Sequence, residues 1–303
     1  MALELLPQIH LRAGLYEAWV APQAGGRLCR MLWHGPSGDV EVVQPITACE
    51  PFGADHWPKQ GAFPMLPYTN RLRNALFEWK GRVVRVRPEP GHSHGLHGFG
   101  HRSSWTLQTQ TAESIELTLQ HQADDTEWPW SFEARLAYTL SKQGLSVHLS
   151  LINTSDHPMP AILGWHPYVP KQWLDRHEAQ SRSIARHDLG AEGLNFPELN
   201  ALPIQPPLNH IDLTSPGTQV LQGWSESLRL VQDSGPPWCL WAESASHLVV
   251  HVPANRAYLC VEPVTAMPGS LNQTNYSDIA AHIELAPKAS KSLTCGISLE
   301  NPV

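Results

Sequence analysis

Apolar residues fall on alternate positions almost from one end of this chain to the other, and a period of two is what half-buried antiparallel strands require. The clearest runs set Ile115, Leu117 and Leu119 against Glu116, Thr118 and Gln120. Phe132, Ala134, Leu136, Tyr138 and Leu140 follow, and then Leu145, Val147, Leu149 and Leu151 against Ser146, His148 and Ser150. Further strands are predicted at 28–33, 83–86, 105–110, 228–231, 248–252 and 293–299. Helix has little room, because 27 Pro and 21 Gly punctuate every longer segment. Only short pieces such as 171–179 read as helical. Two segments lack the strand pattern. The first, 50–67, is rich in Trp, Phe, Pro and Gly and reads as an ordered loop packed over a site. The second, 180–216, is polar and Pro-rich and reads as a surface excursion. With no internal repeat and no linker, residues 1–303 read as a single all-β domain. The expected architecture is a large antiparallel β-sandwich of two curved sheets with few short helices, and 303 residues suffice for its core.

A formal net charge of −7 argues against nucleic acid or an anionic membrane as partner, since both need a basic face. No run approaches the length of a membrane span, and Met1 to Leu6 has neither a basic segment nor a long apolar one. A cytoplasmic protein is expected. The five cysteines, Cys29, Cys49, Cys239, Cys260 and Cys295, are odd in number and scattered without a CxxC pair. They read as small apolar residues in a reducing compartment.

Against that background one carboxylate stands out. Glu262 follows the apolar run Ala257-Tyr258-Leu259-Cys260-Val261 and precedes a proline. A buried carboxylate costs several kcal/mol unless it is paired or protonated, so Glu262 needs either a partner or a raised pKa. His166, in Leu163-Gly164-Trp165-His166-Pro167-Tyr168, is held extended by the proline after it. Set opposite a buried Glu, it completes an acid/base pair. Asn70 and Arg71 follow Phe63-Pro64-Met65-Leu66-Pro67-Tyr68-Thr69 and offer donors and an acceptor suited to vicinal hydroxyls or a carboxylate. His92, His94, His97 and His101 lie within ten residues. Their spacing could suit a metal, but the cluster contains no carboxylate or Cys and is rich in flexible glycine. A polar contact from His97 to a ligand is the better reading.

Taken in order, Gly25-Gly26-Arg27-Leu28, Pro67-Tyr68-Thr69-Asn70-Arg71-Leu72, Leu96-His97-Gly98, Trp165-His166-Pro167-Tyr168 and Val261-Glu262-Pro263 with Asn272 resemble the aldose 1-epimerases, or galactose mutarotases. The resemblance implies a galactose mutarotase-like β-sandwich with a cleft on one sheet and a small-molecule carbohydrate as substrate. It implies Glu262 as general base and His166 as general acid, with Asn70, Arg71 and His97 binding or orienting the sugar. Neither a metal nor a redox cofactor is required, because the task is paired proton transfer. One departure concerns the substrate-binding Asp that many mutarotases carry near a Gly-aromatic segment. Here Gly223-Trp224 lacks one, and Asp212 and Asp233 only flank the region. Trp57, Trp165 and Trp224 are the residues available to compensate by stacking on a sugar face.

Two other readings remain at this stage. A sugar-phosphate epimerase would need a basic cluster at the cleft, with Arg71, Arg73, Arg82, Arg85, Arg87 and Arg102 as candidates. A non-catalytic sugar-binding protein would explain the absent Asp, but has no need of both Glu262 and His166.

Overall fold

The structure, a computed structural model, describes residues 6–46, 52–53, 55–170, 173, 178–181, 183, 185–190, 211, 213, 215–224, 227–231, 236–255, 257–273 and 277–299. Two large sheets carry the fold. The ten-stranded sheet runs Ile9–Ala13, Tyr16–Ala21, Arg27–Gly35, Ala62–Met65, Gly164–Pro170, Tyr258–Val264, His247–Val252, Gly217–Gln222 and Ala185–Gly190, with Gly38–Glu41 branching off Arg27–Gly35. The eight-stranded sheet runs Thr106–Gln110, Ser114–His121, Phe132–Ser141, Gly144–Asn153, Ser290–Leu299, Trp238–Glu243, Ser227–Val231 and Glu178–Gln180. Their ladders are antiparallel. Among the described residues the α-helix is Ser277–Ile283, and no helix is long and apolar enough to cross a membrane.

The alternation read in the sequence is the alternation of the sandwich. Leu117, Leu136, Val147, Leu149 and Leu293 from one sheet and Leu11, Val20, Leu28 and Met31 from the other share one buried core. Each such side chain contributes about 1.5–3 kcal/mol of burial. Their polar neighbours, Glu116, His148 and Ser150 among them, turn outward.

The centre of the ten-stranded sheet obeys a different rule, because both of its faces are buried. In Tyr258–Val264, Leu259 and Val261 enter the shared core while Cys260 and Val264 join a smaller cluster on the far face, with Phe63, Met65, Tyr168, Val220 and Val249. Such strands read as unbroken apolar runs. Glu262 therefore lies within its strand, where the sequence had suggested the end of one.

Three expectations need correction. The segment 50–67 is not all loop: Ala62–Met65 is an interior strand that takes in Pro64, in a segment read from the sequence as lacking the strand pattern. The excursion 180–216 contains the edge strand Ala185–Gly190, while 191–210 lie outside the described residues. For the helix expected at 171–179, most positions also lie outside them, and its far end is instead the strand Glu178–Gln180, paired with Ser227–Val231.

Candidate active site

Register assembles the centre of the site. The ladder between Gly164–Pro170 and Tyr258–Val264 pairs Gly164 with Val264 and Tyr168 with Cys260, which sets His166 opposite Glu262. On its other side His166 pairs with Phe63. His166 Nε2 and Glu262 Oε1 are 3.2 Å apart, with both side chains almost fully buried. Proline follows each of the two residues, so neither strand can close a full set of ladder bonds there.

Burial drives the two groups in opposite directions. Desolvation raises the Glu262 carboxyl from its ordinary 4.5 to about 8. Desolvation also holds the His166 imidazole well below 6.5, with the Lys59 charge the largest opposing one nearby. Near neutrality the pair therefore carries one proton between a carboxyl and an unprotonated imidazole. The other atoms of each group, Glu262 Oε2 and His166 Nδ1, make no hydrogen bond within the protein.

His97 reaches the same place from a loop. Its backbone N–H donates to the Asn70 carbonyl at 3.0 Å, and the Asn70 N–H donates to His97 Nδ1 at 3.1 Å. Both residues adopt positive φ, 54° at Asn70 and 57° at His97. A positive φ suits Asn, whose Oδ1 accepts from the Arg71 N–H at 2.7 Å. The His97 ring meets His166 edge-on, with centroids 4.9 Å apart. Next to it Gly98 has a φ of 64°, and a Cβ there would lie 2.0 Å from the Leu66 carbonyl oxygen. Gly98→Ala should accordingly cost about 3 kcal/mol or more and displace His97, read as a lower urea midpoint together with lost turnover.

One ligand atom each from His97, His166 and Glu262 lies within 4.8 Å of the others, a spacing that could admit a metal ion. The tautomer opposes it. Because His97 Nδ1 accepts a backbone N–H, its neutral ring carries the proton on Nε2, which can donate to an oxygen but offers no lone pair to a cation.

These groups line a cavity of about 290 Å³, at the small end for ligand clefts. Asn70, Arg71, His97, His166 and Glu262, all singled out from the sequence, border it. Trp165 and Trp224 do not. Trp165 precedes His166 by one residue, so the period of two sends it through the sheet into the shared core. Trp224 is buried there too, its indole N–H donating to the Ala245 carbonyl at 2.9 Å. Trp57 lies outside the lining as well, under the Lys59 ammonium at 3.9 Å and against His101. Tyr168 and Tyr258 are the aromatic walls instead.

The sequence reading missed Lys59, Glu89, Thr218 and His251, which also line the cavity. Glu89 sits between two cations, 3.3 Å from Lys59 Nζ and 3.4 Å from Arg71 Nη1. Thr218 and His251 face each other across neighbouring strands, with Oγ1 and Nδ1 2.9 Å apart. They are uncharged polar groups on the wall supplied by His247–Val252 and by Gly217–Gln222, the strand just before Gly223-Trp224. Of the arginines considered for a phosphate, only Arg71 borders the cavity. Arg82 pairs with Asp125, Arg87 with Asp55, and Arg102 donates to the Gly98 carbonyl.

Known proteins resemble this chain, in sequence over part of its length and in fold over nearly all of it. YphB, an uncharacterised protein of Escherichia coli K12, is 30% identical over 120 residues, which are 39% of this chain and 40% of that relative's length. The solved structure of an E. coli K12 protein provisionally called an aldose 1-epimerase superposes with a TM-score of 0.76 at 21% identity, covering 97% of this chain and 99% of that one. The galactose 1-epimerase of Lactobacillus acidophilus NCFM gives a TM-score of 0.70 at 15% identity, covering 97% and 94%. At such identities the solved structures establish the shared galactose mutarotase-like fold. The family model for aldose 1-epimerase matches residues 7–297, nearly the whole length over which the two sheets and the cavity are built, and the chain belongs to the aldose 1-epimerase family.

Proposed function

We propose that this protein is an aldose 1-epimerase that interconverts the α and β anomers of a free neutral aldose. The observation that carries the reading is the Glu262–His166 pair, 3.2 Å apart and desolvated at the wall of a sugar-sized cavity. Moving the shared proton across that gap gives a carboxylate and an imidazolium, the form that can act on a hemiacetal. Glu262 takes the proton from the anomeric hydroxyl, and the C1–O1 bond becomes a carbonyl. The C1–O5 bond breaks, its electrons going to the ring oxygen, which receives the proton of His166. Rotation about C1–C2 and the reverse transfers close the ring as the other anomer. His97 Nε2–H, Asn70 and Arg71 supply donors that hold the sugar, and the residues between 1 and 303 act as one cytoplasmic domain.

A sugar-phosphate substrate finds less support, because Arg71 stands alone among the candidate arginines at the cavity and shares Glu89 with Lys59. A binding protein without turnover would have no use for a desolvated carboxyl beside an imidazole.

The test is polarimetry with freshly dissolved α-anomers of glucose, galactose and several pentoses. Faster equilibration with at least one of them is expected, with a bell-shaped dependence on pH. Turnover needs one proton on the pair, so the alkaline limb should fall near 8, where Glu262 loses it, and the acidic limb below 6.5, where His166 gains a second. No acceleration of any neutral sugar, with acceleration of a hexose 6-phosphate, would replace this reading by the phosphate one.

A further inference from the structure

Close to the Glu262–His166 pair lies a buried cation that the proposed chemistry leaves unused. Arg27 is fully buried, and desolvation lowers its guanidinium to about 10. Among the described residues no carboxylate pairs with it. Its Nη1 donates to the carbonyls of Pro58 at 3.1 Å and Gln60 at 3.0 Å, the two residues that flank Lys59. Its Nε and Nη2 make no hydrogen bond within the protein. The guanidinium carbon lies 4.5 Å from the centre of the Phe63 ring, and Phe63 is stacked on His166 with centroids 4.5 Å apart and planes within 19°. So costly a buried group makes a poor structural brace, since an apolar side chain would fill the space at less expense in desolvation.

We propose that Arg27 is a positioning residue of the reaction: it clamps the backbone on both sides of Lys59 to fix that ammonium at the cavity, and through Phe63 it backs the His166 ring, so that two cations oppose a second positive charge on the acid/base pair. The proposal rests on the acid/base reading above.

The other groups facing His166 do not supply this effect. Glu262 is its partner across the ladder, Tyr168 lies 4.6 Å away on its own strand, and His97 meets it from the loop. Burial keeps Tyr168 protonated and holds His97, His101 and His251 below the ordinary imidazole value. Arg71 and Lys59 share the single charge of Glu89, which leaves one net positive charge at the cavity. That excess charge and Arg27 are left to act. A unit charge about 8 to 12 Å away, at an effective dielectric constant of about 20, moves an ionisation by about 1 to 1.5 pH units. An imidazole that resists protonation is also the stronger acid once the shared proton reaches it, which favours delivery to the ring oxygen.

Removing either cation makes the doubly protonated pair easier and the fully deprotonated pair harder to reach. The whole bell should therefore move to higher pH, by about one unit in Arg27→Met and in Lys59→Met. Arg27→Met should also raise KM, because the Lys59 backbone is released, and Arg27→Lys should return the bell towards its wild-type position without restoring KM. A purely structural Arg27 would lower the height of the bell and leave its position alone. If Arg27→Met fails to fold, Arg27→Lys and the more exposed Lys59→Met decide. A bell unmoved in folded Arg27→Met or in Lys59→Met overturns the proposal. Should the wild type turn over no sugar, the acid/base reading fails by itself, and NMR titration of the His166 ring still tests the electrostatics. The ring's ionisation should rise by about one unit in Lys59→Met, and an unchanged ionisation overturns the proposal.

Discussion

Glu262→Gln should remove most of the catalytic acceleration and, at the same time, make the protein harder to unfold in alkaline solution. The loss of rate follows from removing a positioned base, typically worth about 10²–10⁴-fold. The gain in stability follows from the carboxyl's raised pKa, about 8 in the folded protein against an ordinary 4.5. Between those values the folded state keeps a proton that the unfolded chain has released. Stability is thus fully present below pH 4.5 and falls as pH rises towards 8, by up to about 1.4 kcal/mol per unit and by about 3 kcal/mol in all at pH 7. Glutamine has the shape of the protonated acid and cannot ionise. Urea unfolding at pH 5 and pH 8 should give a Glu262→Gln midpoint close to wild type at the lower pH and clearly above it at the higher. A variant that is less stable at pH 8, or that keeps more than a tenth of the wild-type rate, would make Glu262 an ordinary structural carboxylate.

How much of this could be read from the chain depended on how many faces of each strand meet water. In Ser114–His121, Phe132–Ser141 and Gly144–Asn153 one face is solvated, so the pattern of the sequence marked each strand to within a residue or two. At the centre of the ten-stranded sheet both faces are covered, and the alternation that separates Trp165 from His166 is between two buried environments. Local pattern could not say which side faces the cavity, and Trp165 was assigned to it wrongly. Asn70, His97, His166 and Glu262 were legible because each is a polar residue in an apolar or glycine-rich setting that demands a reason for it. Lys59, Glu89, Thr218 and His251 were not, since their settings are unremarkable and only the cross-strand register and the fold of the loops bring them to the cavity. Arg27 stands out in the sequence only as part of Gly25-Gly26-Arg27-Leu28, and its contacts with Pro58 and Gln60 span more than thirty residues of sequence separation.

The imidazoles around the site set the opposite limit, and acid should progressively destabilise the protein. His97, His101 and His166 are buried, and desolvation holds each well below 6.5. Once the pH drops below 6.5 the unfolded chain takes up a proton at each of these positions while the folded protein does not. Stability is therefore present above that value and lost as pH falls, with a slope of about 4 kcal/mol per unit from the three rings, reduced to about 3 by the opposing proton of Glu262. A domain stable by about 5–15 kcal/mol exhausts that reserve within about two to six units. Urea midpoints measured from pH 7 to 4.5 should reveal uptake of at least two protons on unfolding, and an uptake of fewer than one would mean that the rings ionise in place. His101 offers the sharper control. Neither of its ring nitrogens makes a hydrogen bond, and it packs between Trp57 and Phe63, so His101→Phe should keep the fold while reducing the slope by about one proton. Glu262 erodes stability towards alkali and the imidazoles erode it towards acid. The protein is then most stable near pH 7, inside the range where the Glu262–His166 pair holds the single proton that turnover needs.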